Sequence, residues 1–426
     1  MIQTVRGVRD IPPEESGRWI FLEERARRIF AQYGYRELRT PLFERVELFS
    51  RAVGETSDIV EKEMYVFEDR GGDALCLRPE GTASAVRSFI ENSRHRTLPW
   101  RVYYLGPMFR YERPQKGRYR QFHQIGCELF GPEGPLADAE MMALVLRLLR
   151  EIGIQGAVTL EINSLGCPVC RGPYRERLTA HLESLRERLC GNCQRRLVRN
   201  PLRVLDCKEE DATLLQDLPR MRDHLCGGCE AHFQGLVGHL DRLGLPYRFN
   251  PLMVRGLDYY HRTAFEAVAE GLGSQNAVAA GGRYDGLVAE MGGVATPAVG
   301  FAMGMERLLM LMDEARVAVA RPDVYLVVAG DGAVEAYGLR LAETMREAGL
   351  SVEMHLSGGG MKSQMKHAGR SLAPVAVIVG QQEAQEEQVA IKWMETGEQQ
   401  TLPVERLIEA VGAGLGRAGQ SVNVKS

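Results

Sequence analysis

The segment Gln121–Gly131, QFHQIGCELFG, sets an amide and a carboxylate on one side of a strand-like stretch. Alternate residues of a β-strand share a face, which here groups Phe122, Gln124, Gly126 and Glu128. The glycine would leave a gap of side-chain size between the amide and the carboxylate. The solvated face of an ordinary antiparallel strand is the alternative interpretation.

Basic residues directly upstream favour a binding site. Arg110 would end the first strand of a hairpin, and its Gly- and Pro-containing loop carries Arg113, Lys116, Arg118 and Arg120. Clustered cationic groups beside a carboxylate-bearing pocket suit a polyphosphate, because each guanidinium presents a fork of N–H donors. A basic hairpin tip in solvent is the alternative, but its position beside Gln124 and Glu128 favours function.

A strand with one nearly bare face follows much later, in TPAVGFAMGMERLLMLMDEA. Its small residues alternate with larger ones: Ala298, Gly300, Ala302 and Gly304. A flat ring or another backbone could lie against such a face. Arg307, at the start of the next apolar helix, could then reach a bound anion. Tight packing of a helix on the sheet is the alternative.

The stretch Val254–Glu266, VRGLDYYHRTAFE, carries more polar groups than a strand that only fills a core. Strict alternation would place Arg255 and Tyr260 on opposite faces. A bulge at Gly256 would relax this, as would a position for Arg255 on the turn before the strand. Tyrosine pairs are more often core aromatics with an exposed hydroxyl than ligand contacts.

The composition is that of an ordinary globular protein with several domains. The chain has 426 residues, 45% of them hydrophobic and 26% charged, and a formal net charge of -3. This length predicts two or three domains, and the charge restricts any nucleic-acid contact to local basic patches. The N-terminus lacks a signal-peptide core and no apolar run reaches membrane-spanning length, so we expect a cytoplasmic protein without membrane contact.

The sequence pattern divides the chain into five parts. Residues 1–163 begin a first domain, with a helix predicted over Glu14–Tyr33 and a strand over Tyr35–Thr40. Residues 164–245 read as a helical, cysteine-containing insertion, and residues 246–320 return to strands. Residues 322–414 alternate strand and helix, which predicts a small α/β domain with a mostly parallel sheet. Residues 415–426 form a tail.

Five motifs together resemble the bacterial histidyl-tRNA synthetases, which are class II aminoacyl-tRNA synthetases, and the match runs over nearly the whole chain. FRYERPQKGRYRQFHQIGCELFG resembles class II motif 2 and GFAMGMERLL resembles motif 3. ELRTPLFE, with Pro41, resembles motif 1, the dimer-forming element. MVRGLDYY and AAGGRYDGL resemble the two peptides peculiar to histidine enzymes, and these two are highly specific.

The resemblance implies both a fold and an activity. The expected fold is an α+β catalytic domain with an antiparallel sheet, a helical insertion and a C-terminal α/β anticodon-binding domain. The expected enzyme is a histidine–tRNA ligase: ATP and L-histidine give histidyl-adenylate and pyrophosphate, and histidine passes to the 3′ end of tRNA-His. Mg²⁺ on the phosphates and a homodimer are also implied.

The resemblance also assigns roles to individual residues. Glu80, Thr82 and Gln124 would hold the histidine amino group, and Glu128 and Tyr260 would bind the imidazole nitrogens. Gly81 would also belong to the histidine site, and Tyr259 would line the pocket. Arg110 and Arg255 would flank the α-phosphate, while Arg307 would bind the γ-phosphate, with adenine between Phe122 and the Arg307 side chain. Transfer RNA would contact Arg118, Lys362, Lys366 and Arg370. For the last three, an ordinary solvated helix remains the alternative.

The cysteines are not explained by that activity. Three C-x₂-C pairs occur at Cys167/Cys170, Cys190/Cys193 and Cys226/Cys229, with Cys207 between the second and third. Such pairs in a cytosolic chain are typical of zinc sites. The first two pairs have a suitable separation, and the third could replace either. Since catalysis does not require it, a structural zinc is possible but not favoured, and we assign no metal ligand.

A second function class shares much of this pattern. The regulatory subunit of ATP phosphoribosyltransferase is a synthetase-like histidine sensor without enzyme activity. It would tolerate loss of the phosphate-binding arginines and would lack a tRNA-reading domain. Here Arg110, Arg255 and Arg307 are present and a full α/β domain follows Pro322, so we expect the enzyme.

Overall fold

A computed structural model describes residues 2–54, 57, 59–114, 117–154, 158–207, 209–257, 259–270, 276–317 and 321–416. Lys116 and residues 417–426 of the predicted tail lie outside this part. The chain forms two compact units, Met1–Val317 and Ala318–Ser426. No helix within the described ranges combines the length and the apolar character needed to cross a membrane.

The first unit alternates helices and strands on either side of a helical segment. The elements before that segment are α1 (Pro13–Gln32), β1 (Arg36–Glu37), β2 (Phe43–Arg45), α2 (Val46–Val53), β3 (Val66–Glu68), β4 (Ala74–Leu77), α3 (Thr82–Glu91), β5 (Trp100–Phe109), β6 (Gln121–Phe130), α4 (Pro135–Glu151) and β7 (Val158–Ser164). The helical segment contains α5 (Pro168–Ser184), α6 (Gly191–Arg199), α7 (Ala212–Gln216) and α8 (Gly227–Arg242). The elements after it are β8 (Tyr247–Phe249), β9 (His261–Ala269), β10 (Ala277–Arg283), α9 (Leu287–Glu290), β11 (Ala298–Gly304) and α10 (Met305–Leu311).

The predicted elements near the N-terminus differ from these only at their ends. The predicted first helix is α1, displaced by one residue at each end. The strand predicted over residues 35–40 shortens to β1, because only Arg36 and Glu37 pair with β5. Pro41 then lies in the connection to β2, where a residue without an N–H donor is tolerated.

One large sheet positions the residues of interest. Its strand order is β1-β5-β6-β11-β10-β9-β7-β8. The six central strands pair antiparallel, and only the edge strands β1 and β8 pair parallel. The expected antiparallel sheet is therefore confirmed in its central part. This order brings β6 beside β11, although about 170 residues separate them in the chain.

Each face of the sheet has its own hydrophobic core. On one face, side chains of α1 and α4, such as Phe30 and Leu148, pack with Ile125 of β6. On the other face, α3 contributes Phe89, which stacks on Phe130 with ring centroids 4.5 Å apart. The second face is the one that also carries the polar pocket described below.

A buried ionic network attaches the helical segment to this sheet. The Arg283 side chain, 0% exposed, donates from Nε to the Asp138 carboxylate at 3.1 Å and from Nη1 to Asp285 at 2.9 Å. His232 of α8 lies 2.9 Å from the same Asp138 and 3.3 Å from the Thr263 hydroxyl. Charges are tolerated at this depth because each one is paired.

The second unit is a five-stranded sheet with helices on both faces. Its elements are β12 (Val324–Ala329), α11 (Ala333–Glu347), β13 (Val352–Met354), α12 (Met361–Ser371), β14 (Val375–Gly380), α13 (Gln381–Glu386), β15 (Gln388–Trp393), β16 (Gln399–Pro403) and α14 (Leu407–Gly414). The strand order is β13-β12-β14-β15-β16. The α/β fold is confirmed, but the sheet is mixed instead of mostly parallel: β15 and β16 pair antiparallel. A short connection through Gly397 makes these two strands a hairpin, which cannot be parallel.

Candidate active site

The two stretches that the sequence marked as a polar face and a bare face lie on neighbouring strands. In the register of β6 and β11, Gln124 is opposite Gly304 and Glu128 is opposite Gly300. A Cβ on Gly300 would lie 1.8 Å from Oε2 of Glu128. Because Gly300 has no side chain, the Glu128 carboxylate can occupy this space. Part of the bare face of β11 is therefore covered by a group of the protein itself.

The gap expected at Gly126 is filled by the protein. Tyr104 of β5 is opposite Gly126, and a Cβ on Gly126 would lie 2.0 Å from the Tyr104 ring. A Cβ on Gly81 would lie 2.2 Å from the same ring. The tyrosine thus occupies the space between Gln124 and Glu128, and the expectation of an open gap was wrong because it ignored the adjacent strand.

Three hydroxyl groups surround the buried Glu128 carboxylate. Thr82 donates to Oε1 at 2.8 Å, Tyr104 donates to Oε1 at 3.1 Å, and Tyr284 donates to Oε2. Burial raises the pKa of Glu128 to about 8, although the hydrogen bonds from Tyr284 and Thr82 act in the opposite direction. The group can therefore gain or lose a proton near neutral pH.

Glu80 lies at the N-terminus of α3. Its two carboxylate oxygens accept hydrogen bonds from the backbone N–H groups of Thr82 at 2.7 Å and Ala83 at 2.8 Å. Burial raises the pKa of Glu80 against these hydrogen bonds. Nearby, Oε1 of Gln124 is buried without a hydrogen-bond partner among the described residues. A buried acceptor without a donor favours a ligand that supplies one.

A cavity of about 800 Å³ brings most of the predicted site residues together. The predicted residues in its wall are Glu80, Thr82, Arg110, Arg118, Phe122, Gln124, Arg255, Tyr259, Tyr260 and Arg307. Ala302 and Gly304 of the bare face also line it, while Glu128 lies behind the wall with 1% exposure. A volume of this size suits a nucleotide with a small second ligand.

One part of the wall concentrates guanidinium groups. Arg110 donates from Nε to the Pro79 carbonyl at 2.9 Å, and its guanidinium lies 5.3 Å from the Phe122 ring centroid. Arg118 donates to Glu112 at 2.5 Å, and Arg307 donates to the Ala277 carbonyl at 2.8 Å. Burial lowers the pKa of Arg307, and the nearby Arg118 charge lowers it further. Two like charges facing one cavity favour an anion between them.

Arg255 reaches the cavity from an irregular segment that precedes β9. It forms an ion pair with Glu266, and its guanidinium lies 5.3 Å from the Tyr260 ring centroid. Arg255 and Tyr260 therefore lie on the same side, contrary to strict strand alternation, because both precede β9, which begins at His261. Tyr259 and Tyr260 pack against Tyr284 with centroids 5.7 and 6.5 Å apart.

Several other basic residues lie away from this cavity. Arg120 places its guanidinium 3.9 Å from the Tyr111 ring centroid. Arg283 belongs to the buried network with Asp138 and Asp285 and does not line the cavity. His261 forms a contact of 3.2 Å with Asp285 at the edge of that network.

The predicted tRNA residues of the second unit share one helix face. The side chains on α12 are exposed at intervals of four residues: Lys362, Lys366 and Arg370. Gln364, on the opposite side, is buried and attaches α12 to β12 through two hydrogen bonds with the Val328 backbone, of 2.9 and 2.6 Å. The basic face is thus held outward.

Comparison with known proteins decides the family. A family model described as histidyl-tRNA synthetase matches residues 7–308, and one described as an anticodon binding domain matches residues 323–413. The chain belongs to the histidyl-tRNA synthetase family. A curated histidine–tRNA ligase from Syntrophotalea carbinolica is 48% identical over 414 residues, which cover 96% of this chain and 98% of that protein.

Solved structures agree with this assignment to the histidyl-tRNA synthetase family. Apo S. aureus histidyl-tRNA synthetase matches with a TM-score of 0.81 at 35% identity, covering 96% of this chain and 100% of that chain. A Bacillus halodurans C chain, described as an ATP phosphoribosyltransferase regulatory subunit/histidyl-tRNA synthetase, matches with a TM-score of 0.66 at 22% identity, covering 89% and 98%. At that identity the second likeness shows a shared fold only.

Sequence reasoning did not identify four residues of the site. Tyr104 and Tyr284 donate to Glu128, and the carboxylates of Glu112 and Glu266 neutralise arginines in the cavity. Tyr284 lies in the AAGGRYDGL peptide, whose resemblance to a peptide of histidine enzymes could have marked it as a site residue. For Tyr104, the signal would have been the pairing of β5 with β6.

Proposed function

We propose that this chain activates L-histidine with ATP, releasing pyrophosphate, and then transfers histidine to the 3′ end of tRNA-His. The family assignment and the curated histidine–tRNA ligases support this activity over the regulatory alternative. The observation that carries the mechanism is one cavity lined by several arginines and by polar groups that include two tyrosines. A protein that only senses histidine would need the polar pocket but not the arginines.

The guanidinium groups would act on the nucleotide. Attack of the histidine carboxylate on the α-phosphorus builds negative charge on the non-bridging oxygens. Arg110 and Arg255 would offset that charge from opposite sides, while Arg307 would bind the γ-phosphate with adenine beside Phe122. Because these groups are fixed by contacts with the protein, they stabilise the transition state without rearranging. The attacking carboxylate is already ionised, so no general base is needed.

Two carboxylates hold these arginines before ATP binds. Glu112 contacts Arg118 at 2.5 Å and Arg110 at 3.9 Å, and Glu266 pairs with Arg255. A guanidinium has more N–H donors than one carboxylate occupies, so the arginines would bind phosphate oxygens while keeping these contacts. Mg²⁺, which the family resemblance implies, would supply charge neutralisation on the phosphates, and Glu112 in the cavity wall beside Arg110 and Arg118 would be able to hold it.

The polar pocket would orient histidine. Glu80 and Oε1 of Gln124 would accept hydrogen bonds from the amino group, with Gly81 and Thr82 shaping the turn beneath it. The free acceptor on Gln124 supports this orientation. Holding the amino group fixes the adjacent carboxylate in line with ATP, which supplies much of the rate enhancement.

Glu128 would select the imidazole, with Tyr260 at the second nitrogen and Tyr259 in the wall. A carboxylate offers about four lone-pair sites, and three donors are already in place, which leaves room for one imidazole N–H. An analogue without that N–H would leave the buried carboxylate short of a donor, and such a deficit discriminates strongly.

Other residues would contact tRNA or a second copy of the chain. Arg118 in the cavity wall and the α12 face of Lys362, Lys366 and Arg370 would contact tRNA. A homodimer would bury the apolar side chains that β2 and β3 expose: Phe43, Val66 and Phe67. The activity would place the protein in the cytoplasm.

Histidine-dependent ATP–pyrophosphate exchange tests the first step, and charging of tRNA-His tests the second. We expect the purified chain to perform both, and Arg255→Ala to lose exchange. Arg346→Ala is the matched control, because this arginine lies in the second unit and pairs with Glu343. Histidine binding without any exchange in the wild type would contradict the proposal and favour the regulatory class.

A further inference from the structure

Seven of the nine cysteines gather in the helical segment, in two separate clusters. The first contains Cys167, Cys170, Cys226 and Cys229, and the second contains Cys190, Cys193, Cys207 and Glu210. Within each cluster one ligand atom per residue lies within 4.8 Å of all the others. The structure therefore pairs the first C-x₂-C with the third, and gives the second pair two partners from the loop before α7.

The sulfur spacings match a single tetrahedral ion. The Sγ atom of Cys167 lies 3.7 Å from that of Cys170 and 3.8 Å from that of Cys226. The Sγ atoms of Cys190 and Cys207 lie 3.8 Å apart. Zinc bonded to thiolates at about 2.3 Å gives tetrahedron edges of about 3.8 Å. A disulfide requires an S–S distance of about 2.05 Å. An iron–sulfur cluster places several atoms between its thiolates, which separates them further.

The backbone around both clusters also favours bound thiolates. Cys167, Cys190 and Cys226 are the N-cap residues of α5, α6 and α8, so three helix N-termini face the clusters. Backbone N–H groups donate to sulfur from Cys226 to Cys170 at 3.1 Å and from Cys193 to Cys190 at 3.4 Å. Four anionic ligands on a divalent ion leave net negative charge, which the positive ends of helices stabilise.

We propose that this segment binds two zinc ions, one with four cysteines and one with three cysteines and Glu210. The Glu210 carboxylate is held in place by the Cys190 N–H at 3.2 and 3.1 Å from its two oxygens. Carboxylate oxygen is an accepted zinc ligand, whereas Ca²⁺ and Mg²⁺ require mostly oxygen. Neither site needs an open coordination position, so both are structural.

The two ions would have different mechanical roles. The first connects the beginning of α5 to the beginning of α8, positions 59 residues apart, and so closes the helical segment at its base. The second fixes Cys207, directly after residues that line the large cavity: Arg203, Leu205 and Asp206. A small helical module with a modest core gains stability from such links.

Metal analysis of protein purified without chelators tests the proposal. We expect two zinc ions per chain in the wild type, and one ion in Cys226→Ala and in Cys207→Ala. Cys76→Ala is the matched control, since Cys76 is buried outside both clusters, and it should keep both ions. Titration under denaturing, non-reducing conditions should find nine free thiols.

Cobalt substitution keeps the test independent of how the variants fold. Titration of zinc-stripped wild-type protein should develop the absorption of tetrahedral, thiolate-bound cobalt and saturate at two equivalents. Saturation at one equivalent would refute the second site. Absence of the thiolate bands, disulfides in the thiol count, or iron in place of zinc would each overturn the proposal, and none of these results depends on aminoacylation.

Discussion

Replacement of Glu128 by glutamine is the sharpest test of histidine selection. Glutamine keeps the volume that fits over Gly300 but removes the ionisable group. A hydrogen bond to a charged group contributes about 1.5–3 kcal/mol, which corresponds to roughly a 10- to 150-fold change. We therefore expect kcat/KM for histidine in pyrophosphate exchange to fall by about this factor. The KM for ATP should change little, because Glu128 lies on the histidine side of the site.

The pH dependence gives this experiment a second readout. With a pKa of about 8, Glu128 carries a proton below that pH in the histidine-free protein, and free imidazole titrates at about 6.5. In the proposed complex, Glu128 and the imidazole share one proton. Between these two pH values, Glu128 already carries that proton and the free imidazole is neutral, so binding neither takes up nor releases a proton. Above pH 8 the complex must take up a proton, so the ratio of wild-type to variant kcat/KM should fall about tenfold per pH unit.

Two results would refute this reasoning. One is an equal loss for histidine and ATP, which would make Glu128 a general structural residue. The other is a wild-type to variant ratio that does not change between pH 7 and pH 9. Glu151→Gln is the control, since this carboxylate pairs with Arg28 at 2.7 Å outside the cavity.

Three further predictions concern other parts of the chain. Arg307→Ala should lower kcat/KM for ATP by about 10- to 100-fold, because it removes a charge-assisted contact with phosphate. The change in kcat/KM for histidine should be less than about threefold. Equal effects on both substrates in exchange assays would contradict this role. Lys366→Ala should reduce kcat/KM for tRNA by about fivefold, about 1 kcal/mol for an exposed charge, and leave exchange unchanged; a loss of exchange would contradict an RNA-binding role. Because burial raises the pKa of Glu128, its contribution to stability is present at low pH and is lost as pH rises towards about 8. The melting temperature of histidine-free protein should thus fall across this range by calorimetry, less so in Glu128→Gln, and equal slopes would exclude Glu128 as the cause.

The fold class could be predicted where the signal was local or motif-based. Alternation along Gln121–Phe130 correctly grouped Gln124 with Glu128, because face alternation depends only on the strand itself. The bare face of β11 was visible for the same reason. The neighbour of each strand was not visible, so Tyr104 was missed and the gap at Gly126 was misjudged.

Other differences have the same physical origin. The sequence left open whether Arg255 belongs to the strand or to the turn before it, because side-chain direction in an irregular segment depends on tertiary contacts such as that with Glu266. The spacing of the C-x₂-C pairs is typical of zinc sites but did not fix which pairs lie together, because pairing across α5 and α8 depends on how the helices pack. The acidic partner Glu210 has no spacing rule that would single it out.

The Arg283 network restricts how the helical segment can move. His232 joins α8 to Asp138, a carboxylate with no exposure, and pulling it away would leave a buried acid with one partner fewer. Such a separation costs on the order of several kcal/mol. A motion that widens the cavity near Arg203 would therefore have to leave α8 in place.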